Sequence, residues 1–136
     1  ILFRYLPISC NVIDSRNYVK NVFLGNYYNF DEIKQIDLRT IDIMAASHRL
    51  LDTDEPYQLL SGYRSAKTNA LLRRQSRLVA KKSLHISGQA ADLRLSSRSV
   101  RQLSKAANSC KAGGVGRYSR SNFVHVDCGP LRSWGR

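Results

Sequence analysis

His85, Asp92 and His125 are the residues of this chain whose types and spacing suit chemistry best. His85 and Asp92 stand seven positions apart in Ser83-Leu84-His85-Ile86-Ser87-Gly88-Gln89-Ala90-Ala91-Asp92, with Gly88 between them. His125 lies in a separate segment, Asn122-Phe123-Val124-His125-Val126-Asp127. Two imidazoles and one carboxylate from different segments suit a zinc ion that keeps one coordination position open for water. Such an ion supports hydrolysis. The residue types alone leave a plainer reading open: a hydrogen-bonded histidine near a strand end, and an aspartate paired with one of many arginines.

The elements that carry these residues follow from local pattern. Residues 123–127 alternate as a strand, so Phe123, His125 and Asp127 share one face while Val124, Val126 and Cys128 share the other. The valines mark the core side, which turns His125 and Asp127 toward an open site and Cys128 away from it. Residues 90–95 read as a second strand, with Asp92 opposite the apolar face of Ala91, Leu93 and Leu95. Gly88 lets the chain bend so that His85 returns to the same spot. Residues 31–52 have helical spacing, with Asp31 as a cap and His48 as a partly buried core residue. Residues 57–63 read as a strand and 65–80 as a helix with Leu71, Leu72, Leu78 and Val79 on one face. Ser96-Ser97 offers a cap for a third helix that Gly113-Gly114 ends. Cys110 falls on that helix's apolar face as a small core residue. Residues 115–118 form another short strand, and the tail 129–134 reads as irregular; Arg132 and Trp134 are candidates to line the cleft, with packing that closes the core as the favoured role of Trp134. Tyr18–Leu24 is expected to be a strand and Gly25-Asn26 a turn, within a wrapping arm over 1–30.

With 136 residues, 43% of them hydrophobic, the chain has the composition of one folded domain. Its 22 Lys and Arg outnumber 10 Asp and Glu, for a net charge of +12. That excess favours an anionic partner: nucleic acid, a membrane surface or cell-wall material. The basic run Arg73, Arg74, Arg77, Lys81 and Lys82 reads as a solvated helix face. A nucleic-acid-binding module is the rival use, but no aromatics interleave the run as a single-strand groove would need. Cys10, Cys110 and Cys128 show no C-x-x-C spacing, which argues against a cysteine zinc site. A Cys10–Cys110 bridge and three free thiols both remain open. The chain starts at Ile1, so a signal or anchor upstream is compatible with it.

Four motifs in order carry a resemblance: Ser61-Gly62-Tyr63-Arg64-Ser65; Ser83-x-His85-x-x-Gly88-x-Ala90-x-Asp92; Gly113-Gly114-Val115-Gly116; and Phe123-Val124-His125-Val126-Asp127-x-Gly129-Pro130-x-Arg132-x-Trp134. Together they resemble the M15 zinc peptidases related to D-Ala-D-Ala carboxypeptidases, in the branch that includes a murein endopeptidase. The match covers roughly residues 57–136, more weakly 36–51. It implies an α+β fold like that of the D-Ala-D-Ala peptidases and the hedgehog domain, a small antiparallel sheet with packed helices. It implies Zn2+ on His85, Asp92 and His125, and peptidoglycan stem peptides as substrate. It implies a periplasmic or cell-envelope location. Arg64 matches the arginine that contacts substrate and stabilises charge near the scissile carbonyl. Ser83 matches a serine that contacts substrate or supports the first ligand. Many members carry an acidic residue three positions before the last ligand as general base, where Asn122 stands here. Others carry a histidine where this chain has Phe123. Asp127 is the remaining candidate base, with orientation of a ligand as its alternative role. A catalytically silent zinc domain that grips wall peptides or a protein partner is the rival within this fold.

Overall fold

The structure, a computed structural model, describes residues 18–20 and 33–135. A short β1 (Tyr18–Lys20) pairs antiparallel with β2 (Ile33–Gln35). Then come α1 (Leu38–Arg49), β3 (Gln58–Ser61), α2 (Ala66–Gln75), a 3₁₀ turn (Leu84–Ser87), β4 (Ala90–Arg94), α3 (Val100–Ser109), β5 (Gly114–Tyr118), β6 (Phe123–Asp127) and β7 (Arg132–Gly135). The last five strands make one sheet in the order β3-β4-β6-β5-β7. All its pairings are antiparallel except β5 with β7, so the fold is α+β.

One face of the sheet makes the core. Ala91, Leu93, Val115, Val124 and Val126 are buried there with Ile41 and Met44 of α1 and Leu103 and Ala107 of α3. Full burial of a Leu- or Met-sized side chain contributes about 1.5–3 kcal/mol. The two helices thus hold the sheet flat against them and leave its other face free for polar residues. His48 is buried here as expected: its Nε2–H donates to the Glu55 carbonyl at 2.7 Å, and its ring meets Tyr57 edge-on.

Several boundaries differ from the sequence reading. The cap of α1 is Asp37, whose carboxylate accepts the Arg39 N–H, and β2 occupies residues assigned to the helix. The cap of α3 is Ser99, in a capping box with Gln102. Ser96 and Ser97 lie in the turn before it: their backbone N–H groups donate to the Glu55 carboxylate, each at 2.7 Å, and their hydroxyls meet Gln58 and Thr53. Helix α2 ends at Gln75, not at 80: Ser76 is already extended, at φ −144° and ψ 130°, and the Asn69 amide then holds the Ala80 carbonyl at 3.0 Å. The tail is not irregular: Arg132–Gly135 adds β7 to the sheet. Cys110 is half-buried and Cys128 packs against the core; both are free thiols, and Cys10 lies outside the described residues. The arm over 1–30 lies outside them too, apart from β1.

Candidate metal centre

Strand register assembles the site. On the open face one row of paired residues crosses all five strands: Ser61, Asp92, His125, Gly116 and Trp134. Directly paired residues project to the same side with Cβ atoms about 4.5–5.5 Å apart. Asp92 and His125 are therefore neighbours by register, not by the chance reach of long side chains. The row beside it carries Ala90, Asp127, Gly114 and Arg132.

His85 arrives from outside the sheet. Ser83 caps the 3₁₀ turn by accepting the His85 N–H, and Gly88 ends the turn at φ 72°. That left-handed conformation suits glycine, and a Cβ there would also meet the Gln35 carbonyl oxygen at 2.8 Å. The Arg64 N–H donates to the His85 carbonyl at 3.0 Å, and the His85 Nδ1–H donates to the Gly62 carbonyl at 2.6 Å. A carbonyl can only accept, so this bond fixes the tautomer and turns the Nε2 lone pair into the site.

His125 is fixed in the opposite sense. Its Nε2–H donates to Asp127 Oδ2 at 2.9 Å, which presents Nδ1 to the site. Three donor atoms then converge. His85 Nε2 is 3.2 Å from Asp92 Oδ1 and 3.2 Å from His125 Nδ1, which is 2.9 Å from the same Oδ1. A tetrahedral zinc ion with bonds near 2.0–2.1 Å separates its ligand atoms by roughly 3.3 Å, so the donor set fits in kind and in span. The partners behind both imidazoles are the kind that orient metal-binding histidines.

The surroundings stabilise the negative groups. Burial opposes charge on Asp92, but His85 and His125 hold its carboxyl well below the usual range. Its other oxygen accepts from the Arg64 guanidinium at 3.4 Å, and Arg64 also donates to Ser61 at 3.0 Å. Burial disfavours the His125 cation, yet the hydrogen bonds to Asp127 and Asp92 outweigh this and push its pKa up to about 9.

Asp127 is fully buried. Oδ1 accepts from the N–H groups of Gly114 and Gly129 at 3.1 and 2.9 Å and from Arg132 at 3.0 Å. Oδ2 accepts from Arg132 at 2.7 Å and from His125. Burial raises its pKa, but these donors together hold it below the usual carboxylate range. It shares the face of His125 as expected, but β7 roofs that end of the face.

The centre opens into a cleft of about 320 Å³. Ser83, His85, Asp92, His125 and Arg64 line it, with Leu72, Leu78 and Val79 on one side and Tyr118, Phe123 and Trp134 on the other. Trp134 does not close the core: its half-buried ring lies tilted 5.4 Å from His125 and donates Nε1–H to the Tyr118 hydroxyl at 2.9 Å. Sequence reasoning gave Tyr118 no role and favoured packing for Trp134, with the cleft as its alternative place. The available signal was Gly114-x-Gly116 in a strand, a pattern that marks close approach by another element.

Residues 15–134 match the family model described as peptidoglycan L,D-endopeptidase MepK, of the M15 peptidases. The chain belongs to this M15 family. Over 133 residues it is 45% identical to the peptidoglycan L,D-endopeptidase MepK of Escherichia coli strain K12, covering 93% of this chain and 72% of that protein. The same identity and coverage hold for the MepK of Shigella flexneri. It is 52% identical over 77 residues to the probable MepK of Haemophilus influenzae, covering 57% of this chain and 41% of that protein. The M15 match takes in the 3₁₀ turn, the sheet and Trp134, so the whole row of paired residues lies within it.

Proposed function

We propose that this protein is a zinc-dependent murein endopeptidase that hydrolyses cross-links between peptidoglycan stem peptides. The observation that carries the reading is the convergence of His85 Nε2, Asp92 Oδ1 and His125 Nδ1 at the floor of an open cleft. Family membership supplies the substrate class, since its relatives are named as peptidoglycan L,D-endopeptidases. A zinc ion held by these three atoms supplies Lewis acidity toward the scissile carbonyl and the attacking water.

The chain's own residues do the rest. Arg64, buried beside Asp92, keeps that carboxylate ionised and offers a guanidinium where negative charge develops on the carbonyl oxygen. Ser83 holds the His85 turn and lines the cleft, in reach of a bound peptide. Asp127 is read as the partner that orients His125 rather than as the base. Both its oxygens are engaged and none of its surface is exposed. A wall substrate puts the protein in the cell envelope. No helix among the described residues is long and apolar enough to cross a membrane.

The test is digestion of defined cross-linked muropeptides, read by mass spectrometry, with and without chelator. Cleavage that chelator stops and zinc restores, and that His125→Ala lacks, is the expected result. Binding of muropeptides without product would instead identify a silent zinc domain. Cleavage indifferent to chelator would remove the metal from the reading.

A further inference from the structure

We infer that Lys82 is the residue that selects a substrate side chain ending in a free carboxylate beside the scissile bond. This rests on the peptidase reading above and adds to it a specificity-determining contact.

The cleft has two unlike walls. The wall made by α2 and the segment after it presents Leu72, Leu78 and Val79 together with Lys82. Of the five basic residues between 73 and 82, Lys82 alone lines the cleft; Arg73, Arg74, Arg77 and Lys81 are exposed outside it. The wall is built rather than loose. The amide of Asn69, 2% exposed, clamps the Ala80 carbonyl, and Ser76 Oγ accepts the Leu78 N–H at 3.2 Å. Leu78 is nonetheless 71% exposed. With the half-buried Leu72 and Val79 it gives this wall apolar surface inside the cleft.

Charge bookkeeping isolates the lysine. Among the described residues that line the cleft, Arg64 is paired with Asp92 and Arg132 with Asp127. Lys82 is exposed and makes no ion pair with a described residue. The wall therefore offers apolar surface ending in an uncompensated ammonium. Its complement is a run of methylenes ending in a carboxylate. Lys82 also stands directly before Ser83, whose hydroxyl caps the turn that carries His85. Lys82 is thereby tied in sequence to the turn that carries the first candidate ligand, and both line one cleft.

The experiment compares two cross-linked stem peptides that differ only in a free carboxylate or a carboxamide on the diamino acid at the cross-link. Binding to the zinc-loaded protein is followed by the fluorescence of Trp134, the single tryptophan, which lines the same cleft. Turnover is measured separately. The wild type should bind the carboxylate form about fivefold more tightly, the scale of a partly solvated ion pair. Lys82→Met, which keeps the apolar stem, should erase that preference through KM and leave kcat on the amidated peptide within about twofold. Lys82→Arg should keep it. Equal binding of both peptides by the wild type, or a preference that survives in Lys82→Met, overturns the inference. A binding preference without product in any variant would support Lys82 while sinking the peptidase reading.

Discussion

A histidine that binds a metal through one nitrogen depends on what holds the other. For His125 that partner is Asp127, whose oxygens are shared among two backbone N–H groups, Arg132 and the imidazole. Asp127→Asn keeps the shape but replaces an acceptor with an amide, which loses the charge and competes for the ring's tautomer. We expect zinc affinity to fall by about 10–100-fold, as for other partners of metal-binding histidines, and activity to recover at high zinc. Competition with a calibrated chelator measures it. If Asp127 were the general base, kcat would collapse at unchanged affinity and zinc would not rescue it. The three candidate ligands were legible in the sequence through the motifs that carry the family resemblance, since two histidines and an aspartate alone also fit plain hydrogen bonding and ion pairing. For Asp127 the sequence left two roles open, general base and orienting partner. Alternation of residues 123–127 gives the face correctly, but burial depends on what lies over the face, and that comes from Arg132 and Trp134 of another strand.

At the scale of elements, the site depends on a strand with gaps in it. Gly114 and Gly116 of β5 stand between β6 and β7 in the two functional rows. A Cβ at Gly114 would meet both Asp127 oxygens, and one at Gly116 would meet the Trp134 indole, all within 2.5–2.7 Å. The bare strand is what lets side chains of β7 reach across it to the candidate ligand His125 and its partner Asp127 on β6. Gly116→Ala should push the indole off His125 and break its bond to Tyr118, at a stability cost of about 1–3 kcal/mol typical of overpacking. A red-shifted Trp134 emission with zinc binding largely retained is the expected signature. Unshifted emission would mean the indole does not rest on residue 116. The helices were easier to foresee than this, since α1 and α3 follow apolar spacing and their caps differ by only a few residues. Strand β7 was not foreseen because Arg132-Ser133-Trp134-Gly135 has no apolar alternation: it is an edge strand whose exposed residues answer to the site and not to the core.

For the molecule as a whole, the long connections must be closed so that the rows stay in register, and Glu55 does part of this. Its carboxylate accepts from the Ser96 and Ser97 backbone, tying the approach to β3 to the approach to α3. Hydrogen bonds from Ser97 and from the Ser96 N–H, against a smaller cost of burial, pull its pKa from 4.5 down to about 2. The sign follows from linkage: a carboxyl depressed in the folded state contributes stability that is fully present above its unfolded pKa. That contribution fades as pH falls from about 4.5 toward about 2. Glu55→Gln should therefore unfold at lower denaturant than the wild type near neutral pH. The two midpoints should approach each other as pH drops through that window, as the wild-type carboxyl also becomes neutral. A gap that stays constant from pH 7 to pH 3 would mean that shape, not charge, holds the loops together. Because the candidate metal centre depends on β3 and β4 staying in register, the loss in Glu55→Gln should reach zinc retention only after the global midpoint falls. Zinc release measured along the same denaturant series distinguishes the two.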